Sequence, residues 1–143
     1  HNVFKDLSVR QNLNIAGLSN GGALLAEVFQ LFPILKDRQD QRAESLSGGQ
    51  QQMLALGMSL MGQPKLLLLD EPTTGLAPII VKDMLNAISK ISQSKNMSVL
   101  IVEQNVQSTL EHVDRAVVLK QGRIIFDDDS KRLRDQKSLW HLF

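Results

Sequence analysis

The 143-residue chain has no cysteine and no tyrosine, a single tryptophan, and aromatics at only 4% of its residues. Without cysteine there is no disulfide scaffold and no thiolate metal site. The three histidines, His1, His112 and His141, are too scattered to read as a zinc site. A strong excess of either sign of charge is missing as well. Sixteen basic side chains against fifteen acidic ones leave a net charge of +1, which gives no electrostatic case for nucleic acid as the partner. The scarcity of aromatics argues against a base-stacking platform. No apolar run approaches the roughly 20 residues that span a bilayer, and no signal-peptide pattern is visible, so a cytoplasmic setting is expected. What remains is an ordinary globular composition, 43% hydrophobic and 22% charged, with enough apolar residues for one core but not two large ones.

Along the chain, His1 to Asn14 reads as a short extended segment leading into a helix. Asp6 or Ser8 can cap it, and Val9, Leu13 and Ala16 share a face. Gly17 to Gly22 is a loop. Ala23 to Phe32 predicts a short apolar helix stopped by Pro33. Lys36 to Glu44 is charged and reads as a solvated linker or helix face. This first third looks all-helical. After Leu46 the character changes. Gln50 to Met61 predicts a helix with Met53, Leu54, Gly57, Met58 and Met61 at three- and four-residue spacing, the methionines as core. Lys65 to Asp70 is apolar on both faces, as in a central parallel strand. A helix follows from Pro78 to about Ser92, with Val81, Met84, Leu85, Ile88 and Ile91 inward. Ser98 to Val102 is a second buried strand. Asn105 can cap a helix to about His112. Arg115–Lys120 and Arg123–Asp127 flank Gln121-Gly122, a hairpin signal. Asp127-Asp128-Asp129 reads as a solvated turn and acidic helix start, not a metal site. Ser130 opens a last helix to about Leu142, whose Trp140 and Phe143 are expected to cover the sheet. Helices followed by β-α-β-α-β-β-α define an α/β layered domain with a helical subdomain on its N-terminal side.

Two motifs carry chemistry. Leu46-Ser47-Gly48-Gly49-Gln50 stands just before a helix. Ser47 can cap that helix. Gly48 and Gly49 allow a phosphate to approach the backbone, with N–H groups and the positive helix end directed at it. Leu66-Leu67-Leu68-Leu69-Asp70-Glu71-Pro72 puts two adjacent carboxylates at the C-terminal edge of a parallel strand, where open α/β folds bind ligands. Asp70 is suited to hold Mg²⁺ as a hard oxygen ligand. Glu71 is suited to orient or deprotonate an attacking water.

The pair, LSGGQ at 46–50 and LLLLDEPT at 66–73, resembles the ATP-binding cassette ATPases, and the similarity covers essentially the whole chain. The resemblance implies a P-loop NTPase-like fold: a partial α/β core with parallel strands, a helical subdomain, and a C-terminal β-hairpin and helix. Residues 1–49 are then the helical (signature) subdomain and 50–143 the C-terminal part of the RecA-like core. It implies two nucleotide-binding subunits arranged head to tail, with ATP and Mg²⁺ as cofactors. Ser47, Gly48, Gly49 and Gln50 would contact the γ-phosphate held by the partner, while Asp70 (Mg²⁺) and Glu71 (base) act on the subunit's own nucleotide. Thr74 to Ala77 match the loop that communicates across the dimer, with Ala77 where the family usually has Asp. Gln104 occupies the place of the family's switch histidine. It can donate to a phosphate oxygen but cannot carry a proton in the same way.

Gly-Leu-Ala-Pro at 75–78 together with Val-Glu-Gln-Asn at 102–105 resembles the importer branch serving branched-chain amino acids and, in a sister group, urea or amides. Ala77 and Gln104 are read as markers of that branch. The resemblance implies permease subunits as partners, a solute-binding protein acting indirectly, no nucleic acid, and a peripheral place on the cytoplasmic face of the membrane. Asn2 to Leu13 resembles the stretch leading into the subdomain that docks on the permease. No G-x-x-x-x-G-K-[ST] occurs. The chain is therefore expected to be the C-terminal portion of a longer subunit, inactive alone, with exposed apolar sheet edges. Two alternatives stand beside the importer: a non-transport cassette ATPase, and a non-catalytic remnant that only donates its signature loop to a partner.

Overall fold

The computed structural model describes residues 3–18 and 24–135. Trp140, Phe143, part of the Gly17–Gly22 loop and the last helix beyond residue 135 lie outside the described residues. The chain forms two compact units, His1–Val102 and Glu103–Phe143.

In the first unit, helix α1 (Val9–Ala16) starts at Ser8, whose side chain accepts from the Gln11 N–H while the Gln11 side chain returns to the Ser8 N–H. This reciprocal capping box stabilises the start by satisfying two orphan donors. Helix α2 (Leu25–Leu31) stops before Pro33, and the same proline occupies the first position of α3 (Pro33–Asp37), where its missing N–H costs nothing. Helix α4 (Gly48–Met61) leads into strand β1 (Leu66–Asp70), helix α5 (Pro78–Lys95) and strand β2 (Ser98–Val102). β1 and β2 pair in parallel, Leu66 opposite Ser98 through Asp70 opposite Val102.

One continuous core runs through this unit. Val9 and Leu13 of α1, Val28, Leu35, Leu54 and Met61, and Met84 and Ile88 of α5 are all buried in it. Gly57 sits where α1, α2 and α4 converge. A Cβ there would stand 2.9 Å from Val28 Cγ1 and 3.2 Å from Leu13 Cδ2, so glycine is what allows the close approach. Asn12 is fully buried. Its amide accepts from the Phe4 N–H at 2.7 Å and donates to the Phe4 and Ser8 carbonyls at 2.9 Å each, so the turn before α1 is built around a satisfied polar group.

Two expectations need correction here. The charged stretch 36–44 is not merely solvated. Its backbone pairs with the start of the chain, Val9 N–H to the Gln41 carbonyl and Ala43 N–H to the Leu7 carbonyl, and Ala43 is buried. Nor are β1 and β2 buried on both faces. Leu67 and Leu69 with Val99 and Ile101 pack on the core, while Leu66, Leu68, Leu100 and Val102 are 54–65% exposed. With period-2 alternation, a two-stranded sheet covered on one side leaves every second residue in the open. The apolar exposure expected at the sheet edges is thus found on a whole face.

In the second unit, helix α6 (Val106–Leu110) is followed by the antiparallel pair β3 (Arg115–Lys120) and β4 (Arg123–Asp129) and by helix α7 (Ser130–Asp135). Gln121 and Gly122 both have positive φ, 50° and 75°, as a two-residue hairpin turn of the primed kind requires. Leu110, Val118 and Leu133 form a small core. Asn105 stands at the start of α6 but makes no side-chain cap. Asp127, Asp128 and Asp129 are the end of β4, not a turn: Asp129 faces Arg115 across the ladder and Asp127 faces Val117. Arg115 grips Asp127 with two bonds of 2.7 and 2.8 Å. The Asp128 carboxyl is held below its usual range by the Asp129 N–H and, next, by Arg132.

Candidate functional site

Ser47 stands just outside α4 in an extended conformation. Its hydroxyl accepts from the Gln50 N–H at 3.4 Å, and the Gln50 side chain accepts from the Ser47 N–H at 3.0 Å. The loop therefore carries its own capping box. Gln50 sits in that box, a role its place three residues after the cap could have signalled. Gly48 and Gly49 lie in the first turn, whose N–H groups have no acceptor within the helix. The two glycines differ. A Cβ on Gly48 would meet nothing within 4 Å, whereas one on Gly49 would lie 3.3 Å from Ile80 Cγ2 and 3.4 Å from Leu76 Cδ2. Gly48 faces open space, and Gly49 is packed against the loop and helix that follow the carboxylates.

Asp70 is the last residue of β1 and is exposed; Glu71 follows and is half-buried. Glu71 has φ +44°, a left-handed conformation that costs a non-glycine residue about 1–3 kcal/mol and persists only where its surroundings hold it. Three contacts do so. The Glu71 N–H donates to the Val102 carbonyl at 2.8 Å, its carbonyl accepts from the Thr74 N–H at 3.2 Å, and its carboxylate accepts from the Thr74 hydroxyl at 3.1 Å. Gly75, with φ +75°, completes the turn. Ala77 occupies the cap position of α5 and gives no side-chain cap, while Pro78 opens the helix.

Ser47, Gly48, Gly49, Gln52, Thr74, Gly75, Leu76, Ala77 and Ile80 line one recess of about 380 Å³. Asp70 and Glu71 are not among its lining residues, but Thr74 is, and through its 3.1 Å bond the Glu71 carboxylate adjoins the recess. Gln104 belongs to the second unit. It is exposed, and its carbonyl accepts from the Val106 N–H at 3.0 Å. Among the described residues no group of three or more His, Asp or Glu is poised around a metal. A pair of adjacent strand-end carboxylates nevertheless suits Mg²⁺, which takes one or two protein carboxylates and completes its shell with water and phosphate oxygens.

Sequence reasoning missed Gln52 and the Thr74 hydroxyl. Gln52 stands three residues after Gly49 on α4, and helical spacing alone would have placed it on the same side as that glycine.

Comparison with known proteins gives the family and the fold. The family profile for the ABC transporter matches residues 1–74, just over half of the chain, and the chain belongs to the ABC transporter family. It is 44% identical over 135 residues to the high-affinity branched-chain amino acid transport ATP-binding protein BraG of Pseudomonas aeruginosa, covering 92% of this chain and 58% of that protein. It is 34% identical over 140 residues to the probable branched-chain amino acid transport ATP-binding protein LivF of Archaeoglobus fulgidus, covering 95% and 59%. Among solved structures, it matches cbiO1 from Clostridium perfringens, part of the ABC transporter complex cbiONQ. There the TM-score is 0.77 and the identity 25%, over 98% of this chain and 57% of that one. The chain thus spans about three fifths of the length of the curated relatives it matches. The cassette fold expected from the two motifs is the fold found.

Proposed function

We propose that the chain is part of the ATP-hydrolysing subunit of an ABC importer, and that the imported solute is a branched-chain amino acid or a related small molecule. The names of BraG and LivF support the solute class. On this reading residues 1–49 serve as the helical signature subdomain and 50–143 as the C-terminal part of the ATPase core. Two such subunits pair head to tail on the cytoplasmic face of the membrane, against integral permease subunits fed by a solute-binding protein. No described helix is long and apolar enough to cross a membrane, so the span falls to the permease.

The observation that carries the reading is the presence in one unit of a capped, glycine-bearing helix start at Ser47 and of a turn that holds Glu71 in a left-handed conformation just after the strand-end Asp70. On this reading the two motifs serve two different nucleotides. In the partner's site, the first-turn N–H groups of α4, the Ser47 hydroxyl and Gln50 would bind γ-phosphate oxygens. In the subunit's own site, Asp70 would hold Mg²⁺, which neutralises phosphate charge when bound. The Glu71 carboxylate would accept a proton from water as that water's oxygen bonds to the γ-phosphorus and the bond to the bridging oxygen breaks, releasing ADP and phosphate. Gln104 would donate a hydrogen bond to a phosphate oxygen. ATP binding closes the pair and hydrolysis reopens it.

The test is Glu71→Gln in a cassette that contains these residues together with a phosphate loop. ATP turnover is expected to fall at least about 100-fold with nucleotide binding retained, and the isolated 143-residue chain is expected to show no turnover. Unchanged turnover in the variant would remove Glu71 as the base. It would leave the chain as a donor of the signature loop.

A further inference from the structure

Gln52 links the helix of the Ser47 loop to the Glu71 turn, and the reading above gives it no role. Its Nε2 donates to the Pro72 carbonyl at 2.8 Å, across 20 residues of chain. Pro72 is buried and directly follows Glu71. A proline has no N–H, so its carbonyl is the only backbone group through which it can be hydrogen-bonded. Bonds on this turn also come from the neighbouring strand, through Val102, and from within the turn, through Thr74. The Gln52 bond arrives from α4. A second tie lies beside it, where Gly49 packs close to Leu76 and Ile80. The left-handed turn that aims Glu71 is therefore anchored on the helix whose first residues form the signature loop.

We propose that Gln52 is a positioning residue that fixes the Glu71 turn to α4, so that the placement of the carboxylate follows the position of the Ser47 loop. This rests on the ATPase reading. Because the Ser47 loop faces one nucleotide and Glu71 the other, the bond gives a subunit an internal link between the two sites. A phosphate drawing on the start of α4 moves the anchor of the Glu71 turn.

The experiment compares Gln52→Leu, which keeps the bulk and loses the donor, with Gln52→Glu, which keeps the length and replaces the donor by an acceptor. Both are made in a cassette that contains the phosphate loop. Loss of one hydrogen bond that is felt at the base corresponds to a three- to tenfold fall in kcat. The KM for MgATP and the binding stoichiometry are expected to hold in Gln52→Leu, which adds no charge to the recess that Gln52 shares with the Ser47 loop; for Gln52→Glu, which adds one, the deciding readout is the exchange of the Glu71 turn. Amide hydrogen exchange from Glu71 to Leu76 is expected to quicken in both variants while exchange in β1 is unchanged. Two results would overturn the proposal: kcat within twofold of the unsubstituted protein with unaltered exchange, or a loss in which kcat, binding stoichiometry and melting temperature fall together, the mark of a merely structural residue. If one variant does not fold, the other decides on the readouts given for it. If the unsubstituted cassette hydrolyses no MgATP, the ATPase reading fails separately, and the exchange rates still decide whether Gln52 holds the turn.

Discussion

Helices α4 and α5 both begin in the same recess, and only α4 carries its own cap. The start of α4 is closed by Ser47 and Gln50 acting on each other. The start of α5 has Ala77 in the cap position and no side-chain bond. The signature loop is thus built locally, from residues three apart in sequence. The loop after Glu71 has local bonds from Thr74 but is also tied from outside, by Gln52 and by the packing of Leu76 and Ile80 on Gly49. A loop that must present backbone N–H groups to a phosphate gains from being set before the ligand arrives. On the proposed reading, the loop that places the Glu71 carboxylate takes part of its position from a neighbour, the signature helix.

The largest expected effect on this contrast comes from Gly49. Gly49→Val puts a branched side chain where a single Cβ is already 3.3 Å from Ile80. Overpacking of this kind should cost about 1–3 kcal/mol, seen as a lower midpoint in chemical denaturation. Gly48→Ala meets nothing within 4 Å and should leave stability within about 0.5 kcal/mol. It should nonetheless impair turnover of a cassette pair by crowding the approach to the phosphate. Equal stability losses at the two glycines would break the distinction between the open and the packed position.

The two caps come next. Ser47→Ala removes a capping side chain and should lower stability by about 1 kcal/mol. Ala77→Asp supplies one where none exists and should raise it by a similar or smaller amount, both read by thermal melting. A stabilising effect of Ser47→Ala, or no gain from Ala77→Asp, would mean that cap chemistry does not distinguish the two helix starts.

Much of this was legible in the sequence because it is local. The Ser47 and Ser8 caps, the helix stop at Pro33, the inward row Val81, Met84, Leu85, Ile88 and Ile91, and the Gln121-Gly122 turn all follow from spacing or backbone preference within a few residues. The short helix that restarts at Pro33 was not read from the sequence. Asp70 and Glu71 at a strand end followed from an apolar run meeting two acids. Long-range facts were not legible. An apolar run such as Leu66–Leu69 says that both faces could be buried, not how many neighbours are there to bury them. The pairing of residues 39–44 with 5–10 uses backbone groups that every residue type carries, so charged side chains concealed it. Asp127–Asp129 look like a turn by composition, yet Arg115 and Arg132 neutralise two of them and let the ladder continue. Gln52 was hidden for a related reason: nothing in a glutamine announces that its partner is the carbonyl of a proline 20 residues away.

The most direct test uses cassette pairs with Glu71→Gln on one subunit and Ser47→Arg on the other, followed through a single turnover. If the Ser47 loop serves the partner's nucleotide, both lesions fall in the same composite site and the second site is intact. One ADP per pair is then expected. If the loop serves its own subunit's nucleotide, each site carries one lesion, and no ADP above the double-lesion background would form; that result would contradict the account.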